Sequence, residues 1–198
     1  MTDLQTATAR PQRADARRNR ERIVAAAREV LAEQGIEAQM DDIAARAGVG
    51  VGTVYRHFPT KDALVGALAA QHFEAITALA VSALEAPGTP GERLEGFLWD
   101  SARRMRGDAA LAEIMTERPE AMGTAVADQG PLFDATDALV QDAVASGELR
   151  ADASGADIPT IMCGLGSVMT KQHLGTVGGW ERYLTLMLDG LRPPGRAA

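Results

Sequence analysis

The chain has 198 residues, 46% of them hydrophobic, which is enough for a core of its own, and a formal charge of −7 at pH 7. That acid excess excludes a surface coated in basic residues for indiscriminate binding to nucleic acid. A single cysteine, Cys163, excludes an intrachain disulfide and any zinc site built on several thiolates; it suits a reducing compartment, so a cytoplasmic protein is expected.

The charge is unevenly spread. From residue 1 to 62, ten Lys or Arg stand against nine Asp or Glu, so the acid excess lies beyond residue 62. Six arginines and two acids fall between Arg10 and Arg22, and a polyanion would be met at this end. The first fifteen residues lack the apolar stretch and small-residue cleavage site of a secretory signal. The longest uncharged apolar-rich run, 158–170, has 13 residues, nearer a buried helix than a membrane span of about 20. No membrane partner is expected.

The periodicity is helical nearly throughout. Ile23, Ala26, Ala27, Val30 and Leu31 lie on one face of a helix expected to begin near Asp15 and to stop at Gly35. Residues 40–47 carry a short apolar face of Ile43, Ala44 and Ala47 up to Gly48, and 51–58 form a second short helix before Pro59. Thr60 is placed to cap a long helix with Leu64, Leu68, His72, Ile76, Leu79 and Ala83 on one stripe. Further helices are expected over 90–105, 109–118, 131–147, 157–171 and from Trp180 through Leu191. Residues 1–14 and 193–198 are expected to be disordered.

Two short helices about a glycine-containing turn are the unit that places its second helix in a DNA major groove. Ala44 and Ala47 let the helices cross closely, and Val49, Val54 and Phe58 plug the space between them. Val51, Gly52, Thr53, Tyr55, Arg56 and His57 are left outward. A hydroxyl, a phenol, a guanidinium and an imidazole suit phosphates and base edges, and Gly52 permits close backbone approach. Lys61, in the first turn of the next helix, adds charge beside free amides. Arg13, Arg17, Arg18 and Arg20 either belong to a solvated arm or follow the duplex backbone or minor groove, setting strength more than sequence.

The stretch "GIEAQMDDIAARAGVGVGTVYRHFPTKDAL", Gly35 to Leu64, resembles the DNA-binding signature of the TetR family of transcriptional regulators in "IA..AGV", "G.VY.HF" and the lysine three residues beyond that phenylalanine. The resemblance implies an all-α protein: an N-terminal three-helix helix-turn-helix DNA-binding domain joined by a long helix to a helical C-terminal ligand-binding and dimerisation domain. The expected divisions are a basic arm at 1–14, the DNA-binding domain at 15–62, the effector-binding and dimerisation domain at 63–192, and a tail at 193–198. It also implies that Tyr55 packs its ring while its hydroxyl meets phosphate, that Thr53, His57 and Lys61 contact DNA, and that Arg56 and Val51 sit where bases are read. One departure is that Gln39 and Met40 stand where the family commonly has Ser or Thr at the start of the second helix.

The same resemblance makes the long helix a link between pocket and DNA-binding domain. His72 on its stripe is then either a satisfied core histidine or a polar handle in an effector pocket. Trp99, Met105, Met115, Phe133 and Met162 are either core or pocket wall, and methionine adapts to varied apolar ligands. Gly164 and Gly166, with Trp180, Tyr183 and Met187, suggest a two-fold helical interface, or else close packing within one chain. The expected partners are a palindromic double-stranded DNA operator, a small-molecule effector and a second copy of the chain, with no cofactor or metal. An enzyme has no motif to rest on, because His57, His72 and His173 are far apart and no nucleophile elbow, HExxH pair or phosphate loop occurs. A helical enzyme with distant residues converging on a pocket, a helical protein-interaction module, an activator and a co-repressor-dependent regulator are the other readings.

Overall fold

The computed structural model describes residues 9–108, 111, 129–170 and 179–194, with side chains from residue 15. The described residues are helical, without strands: α1 (Ala9–Gln34), a 3-10 turn (Gly35–Glu37), α2 (Met40–Ala47), α3 (Val51–His57), α4 (Lys61–Leu84), α5 (Pro90–Gly107), α6 (Gly130–Ala145), α7 (Asp157–Thr170) and α8 (Trp180–Leu191). The all-α expectation holds. The helix expected over 109–118 lies outside the described residues.

Two cores form, and α4 belongs to both. Ile23, Val24, Ala27, Val30 and Leu31 of α1 pack with Ile43 and Ala47 of α2, Val54 of α3 and Leu64, Val65, Leu68 and Ala69 at the start of α4. Further along α4, Ile76, Ala80 and Ala83 join Leu94, Leu98 and Ala102 of α5, Leu139, Val140 and Ala143 of α6, Leu165 of α7 and Leu184 of α8. Burying each of the Val, Leu and Ile side chains among them stabilises by about 1.5–3 kcal/mol relative to exposure. At 24 residues α4 is also long and apolar enough to cross a bilayer, which its sequence alone did not suggest. Of its apolar residues, Leu64, Val65, Leu68, Ala69, Ile76, Ala80 and Ala83 are buried in the protein's own cores, while Val81 stays exposed.

The helix ends follow local chemistry. The Thr60 hydroxyl accepts the Ala63 amide at 3.0 Å and starts α4, as expected. Thr89 and Glu92 form a reciprocal capping box ahead of Pro90 at the start of α5. Gly147, with φ +74°, ends the α6 segment. The start of α1 differs from expectation. It begins at Ala9, six residues before Asp15, so residues 9–14 of the expected arm are helical. Pro11 lies in the first turn, where its missing amide costs nothing, and Ala, Gln and Arg are good helix formers.

In the second core the loop after α6 closes tightly on it. The Gly155 amide donates to Asp137 Oδ1 at 3.3 Å, and a Cβ added at Gly155 would lie 2.7 Å from the Asp137 Cα. Because that neighbour is backbone, Gly155→Ala should destabilise the protein by about 1–3 kcal/mol, read as a lower denaturant midpoint at unchanged slope. An unshifted midpoint would mean the loop is not held against α6.

Candidate nucleic-acid interface

The turn between α2 and α3 is built on one glycine. Gly48 takes φ +63°, its amide donates to the Ala45 carbonyl at 3.2 Å, and the Val49 amide donates to the Ala44 carbonyl at 3.1 Å. This pair of bonds closes the end of α2 in a Schellman motif and reverses the chain. Val49 then packs on the first core, Gly50 begins α3 in extended conformation, and Val54 and Phe58 are buried as the plugs the sequence suggested.

With Val54 and Phe58 turned inward, the other side of α3 faces solvent. Val51 is 42% and Tyr55 48% exposed, Gly52 and Arg56 are exposed, and Thr53 and His57 are half-buried at the margins. Positions 51, 52, 55 and 56 are one face of a helix at spacings of one, four and five. All six outward residues named from the sequence therefore meet on or beside a single surface, next to the first turn of α4. Nothing lies within 4 Å of a Cβ added at Gly52, so that surface is open.

Lys61 is differently engaged. It is half-buried, and its ammonium donates to the Ile36 carbonyl, fastening the 3-10 turn to the start of α4. At the start of α2, Gln39 is the N-cap but its side chain does not cap the helix; its amide donates to the Glu37 carbonyl at 2.7 Å. Met40 is buried, and Asp41 and Asp42 occupy the first turn, so any anion approaching there meets two carboxylates before the amides.

On α1, Arg17 and Arg18 are exposed and paired with Glu21, at 3.6 Å, and Asp15. Sequence reasoning missed Arg22 and Arg46, and for Arg20, named as part of the arm, it missed the partner. Arg22 Nη2 donates to the Ala47 carbonyl at 2.6 Å and so satisfies the end of α2 from across the core. Arg20 lies over the Phe58 ring, 5.0 Å from its centroid. Arg46 binds Glu29 and Glu33 of α1 at 3.0 and 2.6 Å, which holds the Glu33 carboxyl below its ordinary range and raises the guanidinium further. For Arg22, the adjacent buried Ile23 was the available signal, since it puts the guanidinium at the edge of the packed face.

The expected effector residues are not gathered into one described cavity. His72 is buried, with Nδ1 3.4 Å from Asp108 Oδ2 and its ring edge-on to Phe73. Asp108 also takes Arg28 at 3.1 Å, and its carboxyl is held below the ordinary range, first by His72 and then by Arg28 against the opposing effect of burial. With a lowered folded value, this contribution is present at neutral pH and lost as pH falls through that value.

Trp99 stacks obliquely on Trp180 at 5.7 Å and carries Arg103 over its ring; Met105 and Met162 are partly buried in the second core. Phe133 is 45% exposed and so is no core residue, a correction that follows from its place on the outer side of α6. Met115 and His173 lie outside the described residues. A recess of about 180 Å³ opens instead beside Leu94, Leu149, Leu188 and Leu191, rimmed by Glu92 and Arg192, and none of the expected effector residues lines it.

Of the expected interface residues, Gly164 is exposed with Met187 beside it, 3.7 Å from an added Cβ, while Tyr183 and Met187 are half-buried. Gly166 is turned inward, its added Cβ 3.2 Å from Met105 Sδ. Its small size lets α7 pack closely on Met105 of α5. Leu186, 51% exposed on α8, was not singled out from the sequence.

A short helix pair with a left-handed glycine turn, buried plugs and a polar outer face on its second helix defines a helix-turn-helix DNA-binding protein. Residues 23–68, which hold this unit, match the family described as "Bacterial regulatory proteins, tetR family". The chain is 36% identical to the TetR transcription regulatory protein of Mycobacterium vanbaalenii, whose crystal structure it matches over 92% of its own length and 99% of that chain, with a TM-score of 0.62. The chain belongs to the TetR family. It is also 40% identical over 101 residues to the HTH-type transcriptional repressor KstR of Mycolicibacterium smegmatis, and 33% over 138 residues to KstR of Mycobacterium tuberculosis. Those matches take in 50% and 69% of this chain but only 50% and 63% of the two repressors. These relatives are transcriptional regulators, not enzymes.

The geometry of the turn predicts its sensitivity. Gly48→Ala forces a side chain into the left-handed region and sets its Cβ 3.1 Å from Arg22 Nη2, so it should cost about 1–2 kcal/mol in a thermal or denaturant melt. A variant as stable as the wild type would contradict the turn described here.

Proposed function

We propose that the chain is a homodimeric repressor that binds a palindromic operator through the outer face of α3 and is released by a small molecule bound in its C-terminal half. The observation that carries this reading is the exposed face of Val51, Gly52, Tyr55 and Arg56, held by a fully buried Val54 beneath it. Polar groups left in solvent on a rigidly packed helix are positioned for a ligand as broad as a duplex. The repressor names of the KstR relatives support the same direction of control.

In this reading Tyr55, Thr53 and His57 contact phosphate, with Lys61 sharing its ammonium between Ile36 and the backbone of the duplex. Arg56 and Val51 face the bases, and Arg17 and Arg18 add salt-sensitive attraction. Two copies joined through α7 and α8, with Gly164, Tyr183, Met187, Trp180 and Leu186 near the seam, set two α3 helices about 34–36 Å apart, one helical turn of DNA. An apolar effector bound in the C-terminal half acts by binding better to the arrangement in which that spacing is wrong. A coupling of about 1–3 kcal/mol, or 5- to 150-fold, is the usual scale. The protein works in the cytoplasm, where the DNA is, and needs no cofactor.

The test is a titration of variants against a duplex recovered from a random pool and against scrambled controls. Tyr55→Phe should weaken binding to all duplexes by about 2- to 10-fold, the loss of one hydrogen bond. Arg56→Ala should cost about 1–3 kcal/mol on the selected duplex alone and relax one base position. If Arg56→Ala weakened every duplex equally, its base-reading role would be wrong.

Gly52→Ala separates fold from function. In open helical space it should leave stability unchanged or raise it by about 0.5–1 kcal/mol, yet weaken DNA binding by crowding the duplex. Undiminished binding would place the duplex elsewhere on the protein.

A further inference from the structure

Three polar side chains outside the α3 face meet where the two cores join. Arg28 comes from α1, His72 from the middle of α4 and Asp108 from the end of α5. Arg28 Nε lies 3.1 Å from Asp108 Oδ1, and His72 Nδ1 lies 3.4 Å from Asp108 Oδ2, so the carboxylate gives one oxygen to α1 and one to α4. The His72 and Asp108 side chains are only 6% and 10% exposed.

That burial distinguishes the junction from the surface pairs of this chain. A carboxylate taken from water is tolerated only while its partners remain, and removing one leaves the others unpaired. The junction is therefore held together as a unit. Its position gives it leverage. His72 falls on α4 at the changeover from Leu68 and Ala69, in the first core, to Ile76, in the second. Leu111, three residues beyond Asp108, is itself buried in the first core. The chain leaving α5 thus docks on the DNA-binding half twice, by a carboxylate and by a leucine.

We propose that Asp108 is a positioning residue that fixes the angle of the DNA-binding half, through Arg28 and His72, so that the separation of the two α3 helices in a dimer is set from the end of α5. This rests on the repressor reading for its consequence in DNA binding. The orientation itself is a property of the chain alone. With the junction intact, α1 cannot rock about α4 without exposing or unpairing a buried charge. With it severed, the cores remain but the angle between them is free to vary.

The experiment uses the full chain with Cys163→Ser, which removes the native thiol from the proposed seam. Ala32 on α1 and Ala145 on α6 are exposed, so Ala32→Cys and Ala145→Cys give one spin label on each half. Labelled protein is diluted into excess unlabelled chain so that distances within one copy dominate. The expected result is a narrow distance distribution that broadens when Asp108→Asn or Arg28→Gln is added and narrows again with Arg28→Lys.

On the selected duplex, the broadening variants should lose operator affinity by about fivefold or more and should discriminate less among duplexes whose half-site separation differs by one base pair. A distribution of unchanged width, or an unchanged separation preference, overturns the proposal. Should Asp108→Asn fail to fold by circular dichroism, Arg28→Gln, at a side chain 39% exposed, decides the matter. If the wild type selects no duplex, the repressor reading fails, while the distance measurement still decides whether the junction sets the angle.

Discussion

One helix belongs to two hydrophobic cores, and every other arrangement in the molecule depends on that sharing. α4 gives Leu64, Val65, Leu68 and Ala69 to the packing of α1, α2 and α3, and Ile76, Ala80 and Ala83 to the packing of α5 through α8. Neither core can shift far without pulling on the same rod. A close-packed interior transmits such a displacement rather than absorbing it. The link between a binding event in one half and the pose of the other is therefore already present in the packing, before any ligand is considered.

The DNA-binding half adds a second constraint, that of a turn with no room for error. Gly48 alone supplies the left-handed residue, Arg22 satisfies the Ala47 carbonyl that the turn leaves open, and Val54 anchors the underside of α3. The polar groups on the other side then have one orientation to offer. Their usefulness comes less from their identities than from the rigidity below them, because a contact held in place loses less entropy on binding.

Much of this was legible in the sequence. The bounds of α2 and α8, the Thr60 cap and the plugs Val54 and Phe58 follow from periodicity and turn chemistry, which act over a few residues. The start of α1 was not, because an arginine-rich run polar on all sides gives no period to read, and its local pairs Asp15 with Arg18 and Arg17 with Glu21 support the helix without an apolar stripe. The partners of Arg22, Lys61 and Asp108 were hidden for a different reason. Each lies 25 or more residues away, a separation that leaves no local pattern. His72 illustrates the limit well: its stripe predicted burial, but only the fold supplied the carboxylate that shares it.

The account turns on whether the outer face of α3, carried in pairs, reads DNA. The most direct measurement is selection of duplexes from a random pool by the purified wild-type protein at near-physiological salt, followed by sequencing of what is retained. The account predicts enrichment of a palindrome whose half-sites lie about one helical turn, 10 to 10.5 base pairs, apart. Retention without any preferred sequence, or enrichment of a single unpaired half-site, would contradict it.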